Sequence, residues 1–396
     1  MRVAVYCSSS ANIDKRYVDF AFDLGTALAL NNIDLVWGGG QVSMMGAVAK
    51  AVRQGGRKTY GVIPEHLTNL ELSDPEADEM FVVDTMRNRK QKMDDLSDAF
   101  VVLPGGIDSH VHISQPSGEG IVMADDFESA TRSAALGGTT TVMPFVLQEK
   151  GRSLRETVND YHALAKGQCF IDTSFHLIVS EPNESVLGQE LPSLVEDGYT
   201  SFKVFMTYEG LALNDREIID VLDTARGCGA LVMVHCENYD AIRYMTEKLE
   251  REGRTAPRYH ATSRPKVAER EATHRAIAHA ELVDVPIMIV HVSNRDAMEQ
   301  IRWAQQRGLK ILGETCTQYL VLTEDDLGGL NMEGAKYVCS PPPRDRDSQE
   351  ACWEGLQRGV FSVFSSDHCP FRYDDPQGKL TPQGRTSFRW VPNGIP

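Results

Sequence analysis

Short apolar runs alternate with segments of helical period along the whole chain, and this rhythm predicts its architecture. Up to about Leu103, strand-like runs fall at residues 3–6, 33–37, 59–63, 80–83 and 99–103. A helical pattern covers residues 17–30, and Gly38-Gly39-Gly40 is expected to open a second helix that runs through Val52. Strands alternating with helices predict a parallel, doubly wound sheet. Ligands of such sheets bind beyond the carboxyl ends of the strands, so the glycine run after Trp37 marks a place where a phosphate could rest.

Past Gly106 the alternation continues with eight strand candidates, at residues 110–112, 139–145, 175–179, 202–206, 230–235, 286–292, 311–315 and 361–365. Eight strand-plus-helix units predict a (β/α)8 barrel. The helices between them carry good signals: Asn214-Asp215 caps a segment whose Ile218, Ile219, Leu222 and Ala225 share one face, and Gly227 is expected to end it. No repeat, low-complexity tract or Gly/Ser linker separates the two regions. The boundary, between residues 103 and 104, therefore falls inside a strand-loop, which is unusual for two complete domains joined end to end.

Composition narrows the function classes. A chain of 396 residues, 42% of them hydrophobic and dispersed, is long enough for two packed domains. Forty basic against fifty-six acidic residues give a net charge of −16, which repels phosphate backbones and anionic membranes. Nucleic acid and membrane surfaces are thus not expected partners. The eight cysteines include no C-x-x-C pair, so reduced thiols are expected rather than a zinc knuckle or a disulfide scaffold. The sequence begins with a strand-like run, and no stretch of about 20 apolar residues could span a membrane, so a cytoplasmic location is expected.

The candidate chemistry gathers at strand ends. His110 and His112 lie two apart on a strand, and the period of two puts both imidazoles on one face. Lys203 stands inside Ser201-Phe202-Lys203-Val204-Phe205-Met206, where an ammonium is costly to bury without a partner. His235, His291 and Asp367 each follow an apolar run, at the carboxyl ends where barrel enzymes place their chemistry. Four histidines, a carboxylate and a basic residue suffice for two bridged divalent ions. Imidazole and carboxylate donors suit zinc, and manganese or iron fit the same ligand types. His66, His162, His176, His260, His274, His279 and His368 are not placed this way and read as structural or surface residues.

Six motifs in order give the region 104–396 a family likeness: Pro-Gly-Gly-Ile-Asp-Ser-His-Val-His at 104–112, Phe-Lys-Val-Phe-Met at 202–206, Val-His-Cys-Glu-Asn at 234–238, Val-His-Val-Ser at 290–293, Ser-Asp-His-Cys-Pro at 366–370 and Pro-Asn-Gly-Ile-Pro at 392–396. Val-Cys-Ser-Pro-Pro at 338–342 fits as well. This region resembles the dihydropyrimidinase and hydantoinase family of cyclic amidohydrolases. The resemblance implies hydrolytic ring opening of cyclic ureides, of the kind used in pyrimidine catabolism, at a binuclear metal centre with zinc as the expected metal. His110, His112 and Asp367 would hold one ion, and His235 and His291 the other. Lys203 would be carbamylated by carbon dioxide, becoming an anion able to bridge both ions. Hydroxide formed on the paired ions would attack the ring amide, with Asp367 moving the proton. Tyr208, five residues after the lysine, would hydrogen-bond the oxyanion, and backbone groups of Ser340 and Asn393 would hold the ureide edge. A homo-oligomer is the expected assembly.

Residues 1–103 resemble a second family, the Lonely Guy nucleoside monophosphate phosphoribohydrolases that release cytokinin bases. Val5-Tyr6-Cys7-Ser8-Ser9-Ser10, Asp34-Leu35-Val36-Trp37-Gly38-Gly39-Gly40, Met44-Met45-Gly46, Gly61-Val62-Ile63-Pro64 and Met86-Arg87-Asn88-Arg89-Lys90 carry the likeness. That family continues P-G-G-x-G-T-x-x-E, whereas here Asp108, Ser109 and His112 stand at the offsets of glycine, threonine and glutamate. A Rossmann-like nucleotide domain cut in half is therefore expected, with no catalytic acid, and Arg89 reads as a solvated basic turn. Both families share Pro-Gly-Gly, so recombination through that string would generate such a chain. The amidohydrolase family also wraps its barrel with a β-sandwich built from both termini, for which this sequence has no counterpart; impaired activity, N-glycosidic hydrolysis of a nucleoside monophosphate by the first region, or a non-catalytic fusion product are the alternatives.

Overall fold

The structure is a computed structural model that describes residues 1–7, 13–68, 73–84, 86–103, 106–118, 120–330 and 332–394. Ser8, Ser9, Ser10, Pro104, Gly105, Ile395 and Pro396, named above, lie outside the described residues, as do the side chains of His66, Met86, Arg87 and Lys90. The chain divides into two compact units, Met1–Gly106 and Ile107–Pro396.

In the first unit, five strands form one parallel sheet. They are β1 (Arg2–Tyr6), β2 (Asp34–Trp37), β3 (Thr59–Pro64), β4 (Glu79–Val83) and β5 (Ala99–Val102), in the order β4-β3-β2-β1-β5. All five answer to predicted apolar runs. The helix Lys15–Leu30 starts where the Asp14 side chain accepts from Arg16 N–H, as an N-cap should. It packs closely on the helix Ser43–Gln54, because Gly25 lets its backbone come near Val48: a Cβ at Gly25 would lie 2.5 Å from the Val48 carbonyl oxygen.

The glycine run differs from expectation. The helix begins at Ser43 rather than at the glycines, and Gly40 pairs instead with Ser73 in an antiparallel bridge while its carbonyl accepts from the Trp37 indole at 3.1 Å. Arg89 lies on the helix Met86–Leu96, not on a solvated turn. Its guanidinium donates to Gly38 O at 2.8 Å and Val62 O at 3.0 Å. The carboxyl ends of β2 and β3 are thereby closed over by a side chain that uses main-chain acceptors.

The second unit contains β6 (Gly106–Val111), β7 (Thr139–Leu147), β8 (Asp172–Thr173), β9 (His176–Ile178), β10 (Ser201–Phe205), β11 (Leu231–His235), β12 (Ile287–Ile289), β13 (Ile311–Cys316) and β14 (Val363–Ser365). Eight of them run in sequence order around one sheet, and the unpredicted two-residue β8 pairs with β7 alone. A parallel bridge between Val111 and His368, with His112 N–H donating to His368 O at 2.6 Å, joins the first strand to the segment after the last. The predicted eight-stranded barrel is therefore present.

Period-two alternation splits the apolar residues of these strands into two cores. Val142, Val146, Leu177, Phe202, Val204, Val232, Val234, Ile287 and Ile289 pack outward, with residues of the surrounding helices such as Ile218, Leu222 and Ile301. Phe145, Ile178, Phe205, Met233, Met288 and Val290 pack together inside the ring. The helix Asp215–Cys228 has the expected cap at Asn214, which Glu217 completes as a capping box, but it runs through Gly227 to Cys228, and the left-handed turn falls at Gly229 with φ 77°. That left-handed turn is one that glycine adopts without penalty. Among the described residues no helix is long and apolar enough to cross a membrane.

Phe202 is fully buried in the outer core beside Lys203. Replacing it with alanine is expected to destabilise the second unit by about 3–5 kcal/mol, read from chemical denaturation. A loss below about 1 kcal/mol, the range of ordinary surface substitutions, would show that Phe202 does not carry the strand–helix contact described.

Candidate metal centre

Alternation aims most of the candidate ligands. With Val111 pointing outward, His110 and His112 face the ring interior; with Phe202 and Val204 outward, so does Lys203; with Val232 and Val234 outward, so does His235. His291 breaks the rule, since it follows the inward Val290 and regular pleating would turn it away. Its φ of 41° lies in the left-handed region and re-aims the side chain, and Asp367 (φ 51°) and Tyr208 (φ 76°) share that feature. Strained non-glycine backbone of this kind persists where the surroundings over-determine it and concentrates at functional sites.

The six candidate ligands come together. The imidazoles form a chain: ring centroids lie 5.6 Å apart for His112 and His110, 5.5 Å for His110 and His291, and 4.4 Å for His291 and His235. His110, His112 and Asp367 offer ligand atoms that all lie within 4.8 Å of one another. Asp367 Oδ1 is 3.2 Å from His110 Nε2 and 3.4 Å from His112 Nε2. Lys203 is 1% exposed, and its Nζ lies 2.8 Å from His110 Nε2 and 4.1 Å from the centroid of the Phe145 ring. No carboxylate lies within ion-pair range of Lys203 among the described residues.

Three of the imidazoles are held from behind by groups that the sequence reading did not single out. Glu314 Oε2 lies 2.7 Å from His110 Nδ1 and also accepts from the His291 backbone N–H at 3.1 Å, while Glu314 Oε1 accepts from Ser365 Oγ at 2.9 Å. Glu237 Oε2 lies 2.8 Å from His235 Nε2 and accepts from Arg264 at 2.6 Å. Gln115 Oε1 lies 2.7 Å from His112 Nδ1. An acceptor on one ring nitrogen fixes the tautomer and leaves the other nitrogen's lone pair for a ligand, which is how histidine metal sites are supported. His291 Nδ1, by contrast, is buried with no hydrogen-bond partner. An orphaned donor atom among oriented imidazoles and a carboxylate fits a divalent cation. Glu314 carried a readable signal, a carboxylate inside the apolar run of β13, the same signal that marks Lys203.

Charge follows burial. Desolvation pushes His235 and His291 well below the ordinary histidine range and lowers His112, keeping these rings neutral. Burial opposes ionisation of Asp367, but His110 beside it and hydrogen bonds from His110 and His112 outweigh that, and its carboxyl lies well below the usual range. Burial lowers Lys203. At His110, burial and the Lys203 ammonium press downward while Glu314 and Asp367 prevail, raising it.

The cavity in front of this cluster, about 240 Å³, is lined by His112, Lys203, His235, His291 and Asp367 and also by Tyr208, Ser340 and Asn393. His110 lies behind it, fully buried. Tyr208 packs its ring 5.1 Å from that of His235 and 5.3 Å from the Arg264 guanidinium, and burial raises its phenol, so it stays a donor. Ser340 Oγ donates to Asn393 Oδ1 at 2.9 Å. Of the histidines set aside, His260 and His176 are buried: His260 Nε2 donates to Cys339 O at 2.9 Å, and His176 Nε2 to Ser109 O at 2.9 Å.

This chain belongs to the amidohydrolase family, whose model matches residues 101–387. That family implies use of divalent metal. A second model, described as possible lysine decarboxylase, matches residues 45–109, so the two matches overlap at 101–109, in the string where the two motif sets meet. The chain is 47% identical over 296 residues to the D-hydantoinase of Rhizobium radiobacter, covering 74% of this chain and 64% of the relative. It is 46% identical over 297 residues to the D-hydantoinase of Geobacillus stearothermophilus, covering 74% and 62%. A solved D-hydantoinase structure superposes with a TM-score of 0.71 at 44% identity, covering 76% of this chain and 66% of that one. The dihydropyrimidinase of Brevibacillus agri NCHU1002 gives 0.71 at 41%, covering 82% and 67%. The chain thus spans less than two thirds of the length of the curated relatives named here.

Burial, and next the Arg264 guanidinium, push His260 from the ordinary 6.5 down to about 3. Its folded value being depressed, the unfolded chain takes up a proton below pH 6.5 that the folded chain refuses, so stability falls as pH falls. Between 6.5 and about pH 4.5 the loss should reach roughly 2 kcal/mol, and His260→Gln should remove that part of the slope. Urea denaturation of both proteins across this window checks it; parallel pH profiles for the two would contradict it.

Proposed function

We propose that the second unit is a metal-dependent cyclic amidohydrolase of the dihydropyrimidinase and hydantoinase type, which opens hydantoins and dihydropyrimidines to N-carbamoyl products. The observation that carries this reading is the buried Lys203 amine, without a carboxylate partner among the described residues, inside a ring of four imidazoles and Asp367. Similarity to proteins named D-hydantoinase and dihydropyrimidinase supports the substrate class. In this reading residues 1–103 are a partial nucleotide-hydrolase fold. His112 stands where that family has its acid, so no activity is assigned to them.

His110, His112 and Asp367 would hold one ion and His235 and His291 the other, zinc being the metal that best suits these donors. Lys203 would join both as a carbamate, which replaces a buried cation by an anion where cations are bound. When bound, the pair of ions supplies an acidified water and a polarised carbonyl. Asp367 takes the proton from the attacking water and passes it to the ring nitrogen as the C–N bond breaks and the new C–O bond forms. Tyr208 donates to the carbonyl oxygen as that oxygen gains charge. Backbone groups of Ser340 and Asn393 grip the ureide edge and keep the ring from turning. The enzyme so described works in the cytoplasm as a homo-oligomer on a small cyclic ureide.

Lys203→Ala is expected to abolish hydantoin and dihydrouracil opening, and wild-type protein loaded with metal in carbon-dioxide-free buffer should regain activity when bicarbonate is added. Turnover that survives Lys203→Ala, or wild-type protein that binds no divalent metal and opens neither ring, would end this reading. Tyr208→Phe should lower kcat by about 10²–10³ with metal content unchanged. An unchanged kcat would remove Tyr208 from the oxyanion role.

A further inference from the structure

The ring-binding edge proposed above is built from two irregular segments rather than from strands. Ser340 follows Val338 and Cys339, and Asn393 follows Pro392; neither segment lies in a strand or α-helix. Backbone groups can grip a substrate only if the chain that presents them is fixed, and surface loops are the most mobile parts of a fold. Something has to hold these two segments in register.

Lys379 reaches both. It is fully buried, and its Nζ donates to Val338 O at 2.7 Å and to Pro392 O at 2.5 Å. These acceptors stand two residues before Ser340 and one before Asn393. The Val338 carbonyl also accepts from Gly394 N–H at 3.0 Å, so the clamp continues past Asn393. Among the described residues Lys379 forms no ion pair. A buried amine without a carboxylate is expensive, and here its two hydrogen-bond acceptors are main-chain carbonyls of the segments that line the cavity, with the Phe371 ring 6.0 Å away. Lys379 itself does not line that cavity. Burial pushes its ammonium down to about 7; the neutral amine keeps two N–H groups, enough for both carbonyls.

We propose that Lys379 is a positioning residue, which cross-links the backbones carrying Ser340 and Asn393 and so sets the geometry of substrate binding without touching substrate or metal. The proposal rests on the amidohydrolase reading and deepens it by assigning the device that shapes its ring-binding edge.

The test is steady-state hydantoin hydrolysis by the metal-loaded full chain, with metal content measured alongside. Lys379→Met removes both donors at similar length, and it is expected to raise KM about tenfold while kcat stays within about threefold and metal content is unchanged, the signature of lost uniform binding. Should that variant not fold, Lys379→Gln, with two amide N–H donors on a chain one bond shorter, is read instead, and a KM raised about threefold is expected. An unchanged KM in a folded variant overturns the clamp while the amidohydrolase reading stands. So does a joint loss of kcat and metal, which would mark a purely structural lysine. Wild-type protein that opens no ring overturns the parent reading and this one with it.

Discussion

A lysine side chain with no carboxylate in ion-pair range among the described residues, buried inside a ring of strands, sets the terms for this structure. Removing an ammonium from water costs several kcal/mol even after relaxation, and among the described residues the Lys203 amine meets the His110 imidazole at 2.8 Å and the faces of Phe145 and Phe205. Stability alone does not favour that placement; a leucine would pack the barrel better. Chemistry that changes the sign of the lysine's charge removes the penalty, and the neighbours are of the kind that chemistry needs. Four imidazoles, three of them oriented by acceptors on their far side, share the space with an aspartate whose carboxyl stays ionised.

The barrel makes this economical. One alternation of outward and inward side chains serves both tasks: the outward set seals the strands to the helices, and the inward set lines a polar mouth. Departures from the alternation are confined to the carboxyl ends, where left-handed backbone at Tyr208, His291 and Asp367 turns three functional side chains toward one cavity. Glu314 ties the arrangement together, since one buried carboxylate accepts from elements of β6, β14 and the turn after β12. The strain in the turns and the support from the strands belong to the same design.

Much of this was legible in the residues. Seven of the eight barrel strands announced themselves as apolar runs and the first by its His-Val-His alternation, and the other candidate ligands stood out as polar or charged groups within or just after such runs. Glu314 bears the same mark as Lys203, a charged group inside a buried strand, but no motif singles it out, because its role is to hold imidazoles from behind. Glu237 and Gln115 were hidden by chemistry that looks ordinary in a loop. Lys379 gave no periodic signal, because its partners are backbone carbonyls 41 and 13 residues away in irregular segments. Gly227 was a plausible helix stop by composition, but the left-handed turn falls at Gly229. In the first unit the glycine run looked like a phosphate cradle, while the fold uses the Gly38 carbonyl to hold Arg89. Local pattern reports which face a residue takes; it does not report which distant main-chain atom a long side chain will reach.

The central claim is that the Lys203 amine carries a carbamate within a metal centre. The direct measurement is carbon-13 NMR of metal-loaded protein exchanged with labelled bicarbonate. The account predicts one protected carbamate resonance per chain, absent from Lys203→Ala. Fully metallated, ring-opening protein that shows no such resonance would contradict it.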